Sequence, residues 1–360
     1  MILKKYENYL IKLYLKNLLL ISLVFIFLSF FLNIFEEIKF VEEYNDGILY
    51  PVILTFLNIP SIVFEIIPFI FLISAMFFFI NLYDKDEIDL LRVNGINNLK
   101  ITFIVSGCSL LLGVLLIFVY YSFSSNLKNL YLNLKYKFTE NNDHLAVVNE
   151  SGLWIKEKTQ KYKFIINAKQ FKNRYLEGIT ISQLNNDYQL INTIVAKKAD
   201  IKSNNWKLHN VTVYSEGKND TDYDQYYYKS LYNEKIISNL YSNLTSLNIF
   251  ELNKLKNNYE SIGYSSTDIK LHLNKLYSLP LYLMLTTIIG SLIMFRYHFI
   301  KSKFFLLVIG VIVSVIFYYL NYFATLFGEN QTIPAELSIW LPQLLILLTC
   351  TIGLVRINEK

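Results

Sequence analysis

The chain has 360 residues, of which 53% are apolar types and 18% are charged, with a net charge of +5. Soluble domains carry roughly 25% charged residues, so this composition excludes a disordered chain, a collagen and a basic tail for nucleic acid, and no nucleic-acid partner is expected. The apolar residues crowd the two ends while the middle reads as ordinary polar sequence, which excludes a single soluble globule.

A helix crosses a bilayer core with about 20 apolar residues. Leu18–Phe35 is the first such run, and the acidic residues Glu36 and Glu37 follow it in place of a small-residue cleavage site, so it reads as a retained span. Pro51–Tyr83 is interrupted only by Glu65 and is long enough for a second, with Pro60 and Pro68 bracketing the carboxylate. Each proline removes a helix hydrogen bond and bends the span, and a bent wall can line a cavity. A carboxylate inside a span is a functional hypothesis by default. Here it reads either as an outer, wetted position or as part of a path, and no other apolar run carries an ionisable partner for a proton relay.

Between spans two and three lies Asp84–Leu99. Asp84 is expected to cap a short helix over 84–94, with Glu87 as the third residue of a capping-box variant. Asp86, Glu87 and Asp89 suit its positive end, Arg92 its negative end, and Asn94-Gly95 a left-handed stop. Such a helix is either a solvated interfacial element or a coupling helix that docks on a cytoplasmic motor, with Ile88 and Leu91 as apolar contacts and Glu87 as the charged one.

Ile101–Leu127 holds the third span. The period then changes. Leu145–Glu150, Gly152–Glu157, Lys161–Asn167, Gly178–Leu184, Tyr188–Ala196, Trp206–His209 and Val211–Glu216 are short, β-branched and aromatic, and predict a sandwich, barrel or jelly roll. Ile179 and Ile181 alternate with Thr180 and Ser182, as one buried face requires. The acidic, Tyr-rich stretch 218–233 reads as a loop or edge. Ser246–Ile262 predicts a helix with Leu247, Phe250, Leu255 and Tyr259 on its apolar face and Gly263 as its stop, and Ser266–Tyr277 a second helical piece. Leu276–Phe295, Phe304–Gly328 and Leu337–Val355 complete six spans in a three-plus-three layout.

Basic residues in short loops mark the cytoplasmic side. They gather at the N-terminus (Lys4, Lys5, Lys12, Lys16), in 84–100 (Lys85, Arg92, Lys100), in 296–303 (Arg296, Lys301, Lys303) and in the tail (Arg356, Lys360), whereas the opposite short loops hold only Lys39. Both termini are therefore expected in the cytoplasm and the middle segment outside. The expected organisation is a first membrane half at 1–121, an outside all-β domain at 122–275 ending in a helical linker at 246–275, and a second membrane half at 276–360.

No Walker A sequence, no G-x-S-x-G elbow and no ligand spacing among His144, His209, His272 and His298 is present, so no enzyme activity, metal or cofactor is expected. Cys108 and Cys350 each lie in an apolar run and read as small buried hydrophobes.

The order and spacing of these features resemble the LptF/LptG permease family. The prolines eight apart at Pro60 and Pro68, Asp86-Glu87 through Gly95, Gly152-Leu-Trp-Ile-Lys-Glu157, Trp206-Lys207-Leu208, the helix Leu247–Gly263, and Pro334 with Pro342 each look like a family feature. The G-L-W motif leans towards LptG over an LptF-type subunit. The resemblance implies a permease subunit of an ABC transporter in the inner membrane of a Gram-negative bacterium, without its own ATPase. It implies pairing with a second, LptF-like permease chain and a cytoplasmic LptB-like ATPase dimer met by Glu87. It also implies export of lipopolysaccharide through a periplasmic jelly roll to LptC-like and LptA-like proteins. Family members often place cations at the outer end of span one; only Lys39 stands there here. Lys39, Glu65, Ile179 and Ile181 are the expected substrate path, with an apolar groove around the two isoleucines.

Three other readings compete. One is a membrane-anchored scaffold whose outside β-domain binds a protein or glycan. Another is an intramembrane enzyme using Glu65. The last is an ABC permease of another type, whose outside domain usually follows the first span rather than the third.

Overall fold

The computed structural model of the protein describes residues 4–42, 49–135, 153–158, 162–172, 175–185, 189–215, 220–230, 232, 234, 237, 243–261, 265–295 and 302–358. The strand expected at Leu145–Glu150, the motif residue Gly152, the stop Gly263 and the loop cations Arg296 and Lys301 lie outside them. The helices are α1 (Lys5–Glu42), α2 (Leu49–Asp84), α3 (Glu87–Val93), α4 (Asn98–Leu115), α5 (Ser122–Lys135), α6 (Ile249–Ser261), α7 (Thr267–Met294), α8 (Lys303–Glu329) and α9 (Ala335–Asn358). A π-helical segment, Leu116–Tyr121, joins α4 to α5 without a break. The chain divides into two compact units, one of Met1–Tyr131 with Thr267–Lys360 and one of Leu132–Ser266. These borders fall inside the sequence boundary 122–275 on both sides.

Among the described residues, the first unit holds six helices long and apolar enough to cross a membrane: α1, α2, the continuous Asn98–Lys135, α7, α8 and α9. Each expected apolar run sits inside one of them, except that Leu276–Phe295 runs one residue past the end of α7. The helices outrun the apolar runs because polar residues at their ends find partners, as described below. Helices α2 and α7 form the centre, each with 61% of its apolar window buried, whereas α1 and α8 bury only 11% of theirs. Phe78, Phe79, Met76 and Leu72 of α2 pack with Leu285 and Ile288 of α7 and with Val105 of α4. The backbones come close where the residue is small: a Cβ added at Gly290 on α7 would stand 2.8 Å from the Leu72 carbonyl oxygen, and one at Gly113 on α4 2.6 Å from Pro280 Cα. Hydroxyls join three helices at the same depth. Tyr14 on α1 and Thr287 on α7 each lie 2.8 Å from the Ser109 hydroxyl on α4. Deep polar groups in a membrane bundle must be paired internally, and this cluster does so.

Among the described residues, the second unit contains one six-stranded antiparallel sheet: β1 (Leu153–Lys158), β2 (Lys163–Lys172), β3 (Tyr175–Leu184), β4 (Leu190–Asp200), β5 (Asn205–Ser215) and β6 (Thr221–Lys229). Strand order follows chain order, β1-β2-β3-β4-β5-β6. A jelly roll is built from two Greek keys. The described strands make only nearest-neighbour pairs, so the expected jelly roll is, among the described residues, a meander.

A crease gives this meander an interior. Along one line across the sheet the pairing passes over Lys169, Gly178, Lys197, Asn210 and Asp224 while the register on either side stays in step. Gly178 (φ 60°) and Asn210 (φ 52°) are left-handed there, which glycine and asparagine tolerate best. Burial then skips three residues instead of two. Leu176 and Ile179, Ala196 and Ala199, and Leu208 and Val211 are all buried. Each strand therefore bends at the crease and keeps the same face inward on both sides of it. The sequence reading split β5 into Trp206–His209 and Val211–Glu216, and Asn210 of the crease is the reason: a turn-forming residue sits inside one continuous strand.

The interior contains Ile155, Ile166, Ile179, Ile181, Trp206 and Leu208, with Tyr228 closing it. Its polar groups are paired. Trp206 Nε1 donates to the Tyr232 carbonyl at 2.7 Å, and the buried Glu157 carboxylate accepts from Tyr228 Oη at 3.0 Å and Ser230 Oγ at 3.4 Å. Burial first, then the Glu157 charge, pushes the Tyr228 hydroxyl well above the ordinary tyrosine range, so it remains a donor at physiological pH. The stretch 218–233 supplies edge strand β6 rather than a loop. Helix α6 starts later than expected, in a reciprocal cap: Asn248 Oδ1 accepts from the Glu251 amide and Glu251 Oε2 from the Asn248 amide, each at 3.0 Å. Its buried face is Ile249, Leu252 and Leu255, and Phe250 is 74% exposed, because the cap sets the helix phase.

Candidate functional site

Two places in the six-helix unit gather chemistry. The first is α3. The sequence reading placed its cap at Asp84 and its span at 84–94. Instead α2 continues through Asp84, and α3 occupies Glu87–Val93. The chain turns at Asp86, whose φ of 54° is left-handed and whose side chain makes no cap bond. Asp84, still in the last turn of α2, pairs with Lys303 at the start of α8. The far end stops as expected. Gly95 is left-handed at φ 74°, its amide donates to the Arg92 carbonyl and the Ile96 amide to the Leu91 carbonyl, both at 2.9 Å. This is a Schellman stop, and only a residue free of Cβ strain suits it. Arg92 reaches Asp89 and Asn98, each at 3.3 Å.

The faces of α3 differ from the expected assignment. Ile88 is 1% exposed and belongs to the core with Leu10, Leu82 and Ile96; Leu91 packs against that core. Ile88 thus anchors the helix and is not free to meet a partner, while Leu91 is half-buried. The outward apolar residues are Leu90 and Val93, 62% and 87% exposed, three and six positions after Glu87 and so along one side of the helix. Glu87 itself is held: Tyr9 Oη of α1 lies 2.8 Å and 2.7 Å from its two carboxylate oxygens, and Lys85 Nζ lies 3.9 Å away.

The second place is a polar chain at the end of the bundle where α5 leaves it and α7 begins. Lys128 on α5 donates to Asn58 Oδ1 at 2.7 Å and lies 4.6 Å over the Tyr131 ring. Asn58 donates to Asn33 Oδ1 at 3.3 Å, and the Tyr131 hydroxyl donates at 2.7 Å to Glu37, which is 1% exposed. Glu65 is reached by the charges of Lys128 and Lys275, and Lys275 in turn by Glu329. Four helices (α2, α5, α7 and α8) thus contribute alternating charges. The π-helical segment sits beside them. Its Tyr120 and Tyr121 both contact the Phe64 ring, Tyr120 donates to the Pro60 carbonyl at 3.2 Å, and Tyr121 Oη lies 2.8 Å from His272 Nε2. A π turn shifts the helix phase by one residue and recurs at functional sites.

The sequence reading found Glu65 but not its partners, because Lys128 and Lys275 lie one residue beyond the apolar runs Ile101–Leu127 and Leu276–Phe295. That adjacency was the available signal. The expectation that no other span offers Glu65 a charged partner is therefore corrected: the helices extend past their apolar windows and bring both lysines in. Lys39 stands exposed in the last turn of α1. Ile179 and Ile181 are fully buried in the β unit, in one apolar cluster with Ile166, Trp206 and Leu208. Cys108 and Cys350 are unpaired with each other, half-buried and buried. Among the described residues, no group of three or more His, Cys, Asp or Glu side chains is arranged to hold a metal ion.

A family model described as "Lipopolysaccharide export system permease LptF/LptG" matches residues 8–356, which is nearly the whole chain. No curated protein sequence matches it.

Proposed function

The chain belongs to the LptF/LptG family of lipopolysaccharide export permeases, and we propose that it is the LptG-type member of a pair of six-span chains driven by a cytoplasmic ATPase dimer. Members of this family are transport subunits, not enzymes. The observation that carries the reading is α3: a short, sharply stopped helix, anchored by Ile88, that turns Leu90 and Val93 outward beside a partly exposed Glu87, between two spans. A rigid helix so placed passes nucleotide-driven closure to the spans as a body. The basic loops support both termini and α3 in the cytoplasm and the β unit in the periplasm. Gly152-Leu-Trp favours the LptG type over LptF.

In this reading lipopolysaccharide enters sideways from the outer leaflet, into a cavity shared with the LptF-like chain. Its phosphates and acyl chains then pass Lys39, Glu65 and the lysines beside it, and the acyl chains reach the creased sheet around Ile179 and Ile181. LptC-like and LptA-like proteins continue the path. A carboxylate and two lysines on three membrane helices are costly in contact with lipid tails; a wetted cavity wall relieves that cost.

Depletion of the chain in a cell that carries it tests the reading. Lipopolysaccharide should accumulate in the inner membrane, separated by density, and disappear from the cell surface. Undiminished surface lipopolysaccharide under full depletion would overturn the proposal.

A further inference from the structure

Tyr9 lies on α1 and Glu87 on α3, 78 positions apart, yet the Tyr9 hydroxyl is 2.8 Å and 2.7 Å from the two Glu87 oxygens. One hydroxyl carries one proton, whereas a carboxylate offers about four lone-pair sites. The bond therefore fixes the carboxylate's orientation and leaves most of its accepting capacity for another donor. The Glu87 side chain is 23% exposed, enough for a cation to reach it. A second link starts one turn earlier, where Asp84 pairs with Lys303 of α8. The two helices so tied to the α3 region, α1 and α8, are the least buried of the six, at 11% each. Ile88 and Leu91 supply the apolar seat beneath.

We propose that Tyr9 is a positioning residue for coupling. It presents the Glu87 carboxylate to a cationic side chain of the ATPase subunit. Together with the Asp84–Lys303 pair, which joins the end of α2 to α8, it ties the docking region to α1 and α8, the two spans with the least of their apolar windows buried. The inference rests on the reading of α3 as the docking helix. Masking of Glu87 by Tyr9 is the opposite assignment; it would require the hydroxyl to use up the carboxylate, which one proton does not do.

The test uses the whole complex, purified with its ATPase subunit and reconstituted in vesicles containing lipopolysaccharide. Tyr9→Phe keeps the ring and removes the donor. Lipopolysaccharide transferred per ATP should fall about fivefold, the scale of one hydrogen bond, with the ATPase subunit still recovered with the chain. Asp84→Lys alone should lower the same ratio, and adding Lys303→Asp should restore it. An unchanged ratio in Tyr9→Phe, with the ATPase subunit bound, would overturn the inference and leave the docking reading standing. Tighter ATPase binding or a higher ratio in Tyr9→Phe would also overturn it, in favour of masking. Failure of the unaltered chain to retain any ATPase subunit would instead remove the docking reading, and the inference with it.

Discussion

Glu87→Ala should release the ATPase subunit from the purified complex and abolish export while the chain still folds and inserts. The side chain is partly exposed, and its loss leaves Ile88 seated in the core with Leu91 packed against it. Truncating one member of a close, hydrogen-bonded charge pair at an interface costs about 2 kcal/mol or more, or roughly thirtyfold in affinity. Leu90→Asp and Val93→Asp should act in the same direction, because the same side of the helix carries them, 62% and 87% exposed. Asp89→Ala provides the contrast. Its pair with Arg92 is a surface contact at i,i+3 with side chains 39% and 68% exposed, and such pairs contribute little. The measurement is the ratio of ATPase subunit to tagged chain after affinity purification. Full retention by Glu87→Ala would remove α3 from the docking surface.

The second large effect is expected in the β unit. Trp206 is fully buried, and its Nε1 donates to the Tyr232 carbonyl. Trp206→Ala should cost about 3–5 kcal/mol from lost burial and the cavity it leaves, and the orphaned carbonyl adds to it. Domains carry 5–15 kcal/mol in total, so much of the stability of this unit would go. Trp206→Phe should cost less, since the ring still fills most of the space. Limited proteolysis of the purified protein reads both variants. New cleavage within 132–266, with the six-span part intact, is the expected pattern; wild-type resistance in Trp206→Ala would contradict the packing described here.

The apolar runs of the spans were legible because a bilayer imposes length and hydropathy directly on sequence. Their ends were not. Lys128, Lys275 and Glu37 look like solvated flanks in sequence; in the fold they lie on helices, where Asn58 and Tyr131 bond two of them and the third lends its charge to Glu65. Gly95 was legible as a stop because a left-handed turn leaves few alternatives. The cap was not: Asp84, Asp86 and the start of α3 crowd together, and local sequence does not say which aspartate turns the chain. The sidedness of α3 was misread for a related reason. Ile88 and Leu91 do form an apolar stripe, but the same pattern describes a helix seated on its own bundle and one offered to a partner. The strands of the β unit were mostly visible as alternation. The crease was not, because Gly178 and Asn210 look like ordinary turn residues until the pairing of five strands lines them up.

The central claim is that this permease works as one chain of an ATP-driven lipid exporter, engaged through α3. Affinity purification of the tagged chain in mild detergent, with identification of whatever accompanies it, tests that most directly. Recovery of an ATPase subunit bearing a Walker motif, a second six-span chain and bound lipopolysaccharide is the predicted result. Recovery of the chain alone, or with proteins bound only to its β unit, would contradict the account.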